Sequence, residues 1–244
     1  MSKNSSPKLA LCLSGQARGL SKAHSFIQKN LLDPYKVDVF LHTWKPKGGI
    51  AQIQLYERMI SLYDPILFSY DHPIPKETNQ DMMVSIVSHP ANFCTSMFYS
   101  IYKSNDLRVR HQISKNKKYD FVIRSRFDLA LNTVIDFSKL KKRVVYISKD
   151  TDHPSPLFND QFAIADPDTM NIYASTFLHL RNLYESGVKF CGHEMLQEHL
   201  TRNNISFERI DINHPFVDGK FNIGNHSLVR DDMENWVDTK LWGY

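Results

Sequence analysis

Short apolar runs alternate with helical segments through the first half of this 244-residue chain, and that alternation constrains its fold more than any other feature. Lys8 to Leu13 (KLALCL) has strand length, and SGQARGL after it makes a glycine-bounded turn before a helix predicted from about Ser21 to Leu32. Val37 to Trp44 (VDVFLHTW) reads as a second strand. Pro65 to Tyr70 (PILFSY) is a weaker third, ended by Asp71-His72-Pro73. Parallel neighbours need a crossover between them, so strand, helix and strand in succession argue an α/β domain with a mostly parallel central sheet flanked by helices.

Further along, His72 to Ser88 is polar and proline-bearing and reads as a loop. Asn92 to Lys115 reads as a long helix. Phe93, Met97 and Ile101 fall at four-residue steps in it with Cys94, Phe98 and Tyr102 beside them, a stripe expected to pack in the core. The strand YDFVIRSRFD follows, then VVYIS (Val144 to Ser148), a Pro-, Asp- and Ser-rich loop from Asp150 to Asp160, and the short strand QFAIA (Gln161 to Ala165). ADPDTM opens a helix through Asp168, a second helix is placed near His193 to Asn203, and ISFERIDI is a late strand. The tail after Asn213 is irregular and is expected to fold over the site.

The formal charge of +4 is mild. Its local concentrations, Arg108 to Lys118 and Lys139 to Arg143, read as solvated faces, and no nucleic-acid-binding motif accompanies them. Cys12, Cys94 and Cys191 are odd in number and widely spaced, as expected of reduced thiols in a reducing compartment. MSKNSSPK lacks the apolar centre of a signal peptide, and no run approaches the ~18–20 apolar residues of a membrane span, so a cytoplasmic protein is expected.

Three segments carry candidate chemistry. In YDFVIRSRFDLAL (Tyr119 to Leu131), a continuous strand would set Arg124, Arg126 and Asp128 on one face. They would span roughly 13 Å, about the reach of a nucleotide diphosphate. Two guanidiniums can fork onto phosphate oxygens and one carboxylate can hold a divalent cation; a solvated strand face with cross-strand ion pairs is the alternative. In the first turn, Ser14-Gly15-Gln16-Ala17-Arg18, glycine lets backbone approach a ligand and Arg18 can reach phosphates, although neither GxGxxG nor GxxxxGK[ST] is present. In Phe158-Asn159-Asp160-Gln161, Asp160 could act as a general base, or the segment could simply cap a turn. His193 and Glu194 could present polar groups to a second substrate, but HEMLQEH is not the zinc helix HExxH. His42 and Trp44 end strand two and would either flank a base or pack in the core.

Together LCLSGQARG, DVFLHTW, YDFVIRSRFDLAL and NDQFAIAD resemble small bacterial and viral glycosyltransferases of the GT-A fold, over roughly residues 8 to 200. The resemblance implies a disordered tail over 1–7 and one domain over 8–244, with a donor half at about 8–135 and an acceptor half at about 136–244. It implies a UDP- or GDP-sugar donor, a saccharide acceptor, and Mn2+ or Mg2+ bridging the diphosphate. Ser14, Gly15, Gln16, Arg18, Thr43, Arg124 and Arg126 would bind donor, and His193 and Glu194 acceptor. Asp160 would be the catalytic base, with Asp152 and Glu194 behind it. Only the second Asp of the family's Asp-x-Asp motif is kept, as Asp128, the expected metal ligand; His214 and His226 are candidates for a further one. A sugar-phosphate nucleotidyltransferase and a non-catalytic nucleotide- or glycan-binding module are the alternatives.

Overall fold

The computed structural model describes residues 6–17, 19–45, 49–75, 78–79, 81–82, 91–149 and 158–212. The expectations placed on Arg18, Asp152, His214, His226 and the tail after Asn213 lie outside these residues.

The chain order is β1 (Leu9–Gly15), α1 (Leu20–Ile27, continued by a π turn over Gln28–Leu32), β2 (Val37–Trp44), α2 (Gly49–Tyr63), β3 (Leu67–Asp71), α3 (Ala91–Ser114) and β4 (Phe121–Ser125). Then come β5 (Val144–Ser148), β6 (Phe162–Ala165), α4 (Pro167–Ala174), α5 (Thr176–Glu185), α6 (Gly192–Arg202) and β7 (Ser206–Ile210). The strands form one seven-stranded sheet in the order β3-β2-β1-β4-β6-β5-β7. β3, β2, β1 and β4 are parallel, β6 is antiparallel to both neighbours, and β7 is parallel to β5. The protein is thus mixed α/β with a mostly parallel sheet between helices, as the sequence pattern implies.

Strand alternation sorts the core into two layers. Leu9, Leu11 and Leu13 of β1 join Val39 and Leu41 of β2, Ile123 of β4 and Ile164 of β6 on one face, covered by Leu20 and Ile27 of α1 and Met59 and Tyr63 of α2. Ala10 and Cys12, with Phe40, Val122, Ala163 and Ala165, face Phe98 and Ile101 of α3, Met170 and Tyr173 of α4, and Met195 and Leu196 of α6. Small residues on this second face let the helices approach closely. The start of α4 is locally encoded. Asp166 accepts from the Thr169 N–H (3.2 Å) and hydroxyl (2.7 Å), and Pro167 opens the first turn.

Four features depart from the sequence reading. α2 was not anticipated; its Ile50, Ile53 and Ile60 are exposed, which blurs the helical stripe. The helix expected through Asp168 is α4, which ends at Ser175, whose hydroxyl donates to the Ile172 carbonyl (2.8 Å); α5, which begins at the next residue, was not anticipated. β4 stops at Ser125 instead of continuing to Leu131. Phe127 turns into the core with no exposure, edge-on to Tyr63 at 6.4 Å between centroids. On α3, Phe98 and Ile101 are buried as expected, but Phe93, Cys94, Met97 and Tyr102 are only half-buried. Apart from Ala91, the rest of the buried face is polar: Asn92, Thr95, Ser96, Ser100, Ser104, Asn105 and Arg108.

Arg108 shows how that polar face is tolerated. The residue is 1% exposed, and its guanidinium donates to Asn105 Oδ1 (2.8 and 3.1 Å), to Gln112 Oε1 (2.6 Å) and to Asn171 Oδ1 of α4. A buried cation is costly unless its N–H groups are met, and here amide oxygens meet them. Asn171→Ala should therefore lower unfolding stability by about 2 kcal/mol, read as a urea midpoint shift, because it leaves buried donors unmatched. An unchanged midpoint would show that the amide cage contributes nothing.

Candidate functional site

Strand order reverses direction at β1: β2 and β3 build outward on one side, and β4 returns to the other. In open α/β sheets such a switch point opens a crevice at the carboxyl ends of the strands. Here it lies between the Gly15 turn and the end of β4, where Leu13 is the register partner of Ser125. Because β6 runs the other way, its start is at this same edge. Ser125 pairs with Phe162, which brings Asn159, Asp160 and Gln161 beside Arg124 and Arg126. α3 runs back against the strands, so its first turns stand over the edge as well.

The Gly15 peptide is held from both sides. Its N–H donates to Ser100 Oγ of α3 (2.7 Å), and its carbonyl accepts from Thr43 Oγ1 of β2 (2.9 Å). Gly15 has φ +111°, a conformation that disfavours a side chain, and a Cβ there would meet nothing within 4 Å among the described residues. The turn is therefore glycine for its backbone. Ser14 beside it is buried, with no hydrogen-bond partner for its hydroxyl among the described residues; Gln16 is half-buried.

Behind the turn lies a relay. His42 Nδ1 lies 2.7 Å from Ser100 Oγ and His42 Nε2 lies 3.3 Å from Asp71 Oδ2, which also accepts from Tyr99 Oη (2.7 Å). Burial pushes the His42 pKa down to about 4, against the pull of Asp71. At neutral pH the ring is uncharged, donates from Nε2 to Asp71 and accepts at Nδ1 from Ser100, whose oxygen in turn accepts from Gly15. Trp44 is 2% exposed and stacks on Tyr99 at 5.5 Å, so His42 and Trp44 belong to the packing behind the turn. Sequence reasoning missed Ser100, Asp71 and Tyr99. The available signal was the four-residue recurrence of small polar residues, Asn92, Ser96, Ser100 and Ser104, within an aromatic helix.

Across the crevice, Arg124 is 2% exposed and lies between Cys12 and Ala163, small neighbours that leave it room over the sheet. Its Nη1 donates to the Asp160 carbonyl, while its Nε has no partner among the described residues. Arg126 forks onto Asp128, with Nε to Oδ1 at 2.7 Å and Nη2 to Oδ2 at 2.8 Å. Burial works against the Arg126 charge, yet Asp128 and then Asp160 outweigh it and raise its pKa. The Asp160 carboxylate rests against Gly192, the first residue of α6, where an added Cβ would strike it and would come within 3.0 Å of Met97 Cε. Asn159 Oδ1 accepts from Gln161 N–H (2.8 Å), so the turn-capping role falls to Asn159 and leaves Asp160 at the crevice. His193 Nδ1 donates to the Phe158 carbonyl and ties α6 to this segment. Glu194 lies at the same helix end, 3.8 Å from Lys189 Nζ.

The described residues do not fit a divalent cation at Asp128. Both carboxylate oxygens accept from Arg126, and no group of three His, Cys, Asp or Glu side chains among the described residues could hold a metal ion.

A profile of the family described as "Domain of unknown function (DUF7796)" matches residues 4–218, most of the chain. The chain belongs to that family. Among solved structures, this DUF7796 chain is similar to the apo-form glycosyltransferase GlyE of Streptococcus pneumoniae TIGR4. The identity is 12% and the TM-score 0.48, covering 84% of this chain and 45% of that one. It is also similar to a glycosyltransferase involved in the glycosylation of the major capsid of PBCV-1, at 12% identity and TM-score 0.43, covering 84% of this chain and 83% of that one. The DUF7796 chain thus spans less than half the length of the first of these. No curated protein matches its sequence. Among its described residues no helix is long and apolar enough to cross a membrane.

The buried relay makes the fold acid-sensitive. An unfolded His42 titrates near 6.5 and the folded one at about 4, so between those values the unfolded chain binds a proton that the fold excludes. His199 is pushed down to about 4, by burial first and then by His179, and acts in the same direction. The stabilisation is fully present above about pH 6.5 and falls as pH drops toward 4, by up to roughly 3 kcal/mol for His42. Urea unfolding at pH 7 and 4.5, with an NMR titration of the His42 ring, measures both. An imidazole that protonates near 6.5 in the folded protein would refute the assignment.

Proposed function

We propose that the chain moves a sugar from a nucleotide-diphosphate sugar, UDP- or GDP-linked, to a saccharide hydroxyl, in glycan or cell-surface polysaccharide synthesis. The observation that carries this reading is the meeting, at one switch point, of a glycine turn, two arginines and the Asp160 carboxylate. A turn braced by Ser100 and Thr43 offers backbone to a nucleotide, and paired guanidiniums suit a diphosphate. A GT-A-type domain, with donor held by Ser14 to Gln16, Arg124 and Arg126, accommodates that arrangement. His193 and Glu194, at the head of α6 beside Asp160, stand on the acceptor side.

The chemistry follows from charge. As the acceptor oxygen bonds to the anomeric carbon, the bond from that carbon to the diphosphate breaks and its electron pair leaves with the phosphate. Arg124 and Arg126 stabilise the charge that develops there. If the anomeric centre inverts, the acceptor proton passes to Asp160, whose position is set by Gly192 on one side and by the Arg124 bond to its carbonyl on the other.

The deciding measurement is a thermal-shift and calorimetry panel of UDP-, GDP-, CMP- and TDP-sugars, each with and without manganese. A base-selective donor that stabilises the folded chain is the expected result, and no response to any donor would remove the proposal. Asp160→Asn is expected to leave donor binding within about twofold and to cut transfer by roughly 100-fold or more. Full transfer by that variant would remove Asp160 as the base.

A further inference from the structure

We propose that the diphosphate is held by Arg126 directly, with Asp128 as the positioning residue of that guanidinium and not as the ligand of a cation. This rests on the nucleotide-sugar reading above and specifies how its donor is gripped.

The geometry separates the two faces of the guanidinium. A planar guanidinium offers two bidentate edges, a side-on edge made by Nε and Nη2 and an end-on edge made by Nη1 and Nη2. Asp128 takes the side-on edge, at 2.7 and 2.8 Å. Nη1 has no acceptor among the described residues, and the Arg126 side chain keeps 23% of its surface exposed while that of Asp128 keeps 1%. The carboxylate is thus buried behind the arginine and the arginine faces outward, which suits an anion and not a metal. A divalent ion at Asp128 would need oxygens that Arg126 already uses, and would sit within a few ångströms of a fixed positive charge. The turn after Ser125 makes this possible. Had the strand run on, Arg126 and Asp128 would be neighbours on one face, both open to the crevice; with Phe127 turned into the core, Asp128 folds back onto the guanidinium edge.

Arg124 complements the grip from within the sheet. Its Nη1 bond to the Asp160 carbonyl and its unpartnered, buried Nε place a second cation beside the first. The guanidinium planes of both arginines are therefore set before the ligand arrives, which reduces the ordering cost of binding.

The experiment is calorimetric titration of UDP and GDP into the full chain, with chelator or with manganese, for wild type, Arg126→Ala, Asp128→Asn and the double variant, each checked for folding by circular dichroism. Expected is binding of one nucleotide that chelator leaves unchanged, and that Arg126→Ala weakens roughly 10- to 100-fold. Asp128→Asn weakens it less. In the Arg126→Ala background, adding Asp128→Asn changes nucleotide binding no further, because Asp128 acts on the nucleotide through Arg126. Binding that requires manganese and loses that requirement in Asp128→Asn would overturn this inference and leave the proposed function standing. No nucleotide binding by folded wild type, with or without manganese, would overturn the function and this inference with it. Should Asp128→Asn fail to fold, the chelator arm and Arg126→Ala still decide.

Discussion

The antiparallel pairing of β6 with β4 is the constraint on which the rest of the site depends. A fully parallel sheet would start β6 at the far edge, and Asp160 would lie a strand's length from the arginines. With β6 reversed, Phe162 pairs with Ser125, and the residues just before β6 arrive at the carboxyl end of β4. The Arg124 bond to the Asp160 carbonyl then fastens the two segments together across the sheet. Asp160, whose carboxylate abuts Gly192, in turn sets where α6 begins relative to the crevice. One reversed strand thereby joins the two halves of the chain at a single edge.

Around that edge the protein buries polarity instead of avoiding it. α3 carries Asn92, Ser96, Ser100, Ser104, Asn105 and Arg108 inward, and these groups serve different ends. Arg108 is caged by amides and joins α3 to α4. Ser100 links the Gly15 peptide to His42 and so to Asp71 on the outer strand. Asn92 and the Ser96 hydroxyl have no partners among the described residues, near the helix end that stands over the crevice. An apolar helix would pack more tightly at lower cost, but could neither brace a glycine turn nor line a crevice with donors. The same low dielectric that makes these groups costly keeps His42 uncharged and its hydrogen bonds directional.

Much of this was legible in the sequence. The runs KLALCL, VDVFLHTW and VVYIS became β1, β2 and β5 because β-branched and apolar stretches of that length suit only a buried strand between helices. ISFERIDI became β7, and the Asp-Pro step became the head of α4 through its own cap. The turn after β1 and the Arg-x-Arg-x-Asp stretch were also visible as candidate chemistry, because unusual residue types cluster there. α2 escaped notice because its apolar residues are not confined to one face, and the α3 stripe was misjudged because aromatic side chains outweigh serines in any periodicity count. α5 escaped notice as well, since nothing in the local composition marks the break at Ser175, whose hydroxyl turns back on the carbonyl of Ile172 three residues earlier.

What the sequence determined by itself was the set of elements, their alternation, and the residue types at two turns, since strand and helix periodicity and capping act over a few residues. What only the tertiary structure decided was which of those residues meet. The fork of Arg126 on Asp128 arises because Phe127 is drawn into the core by Tyr63, a residue far away in the chain. The bracing of Gly15 depends on a serine 85 positions later, and the approach of Asp160 to Arg124 on a strand reversal that no local pattern records. These contacts are set by packing between distant segments, whose geometry emerges only when the whole sheet is assembled.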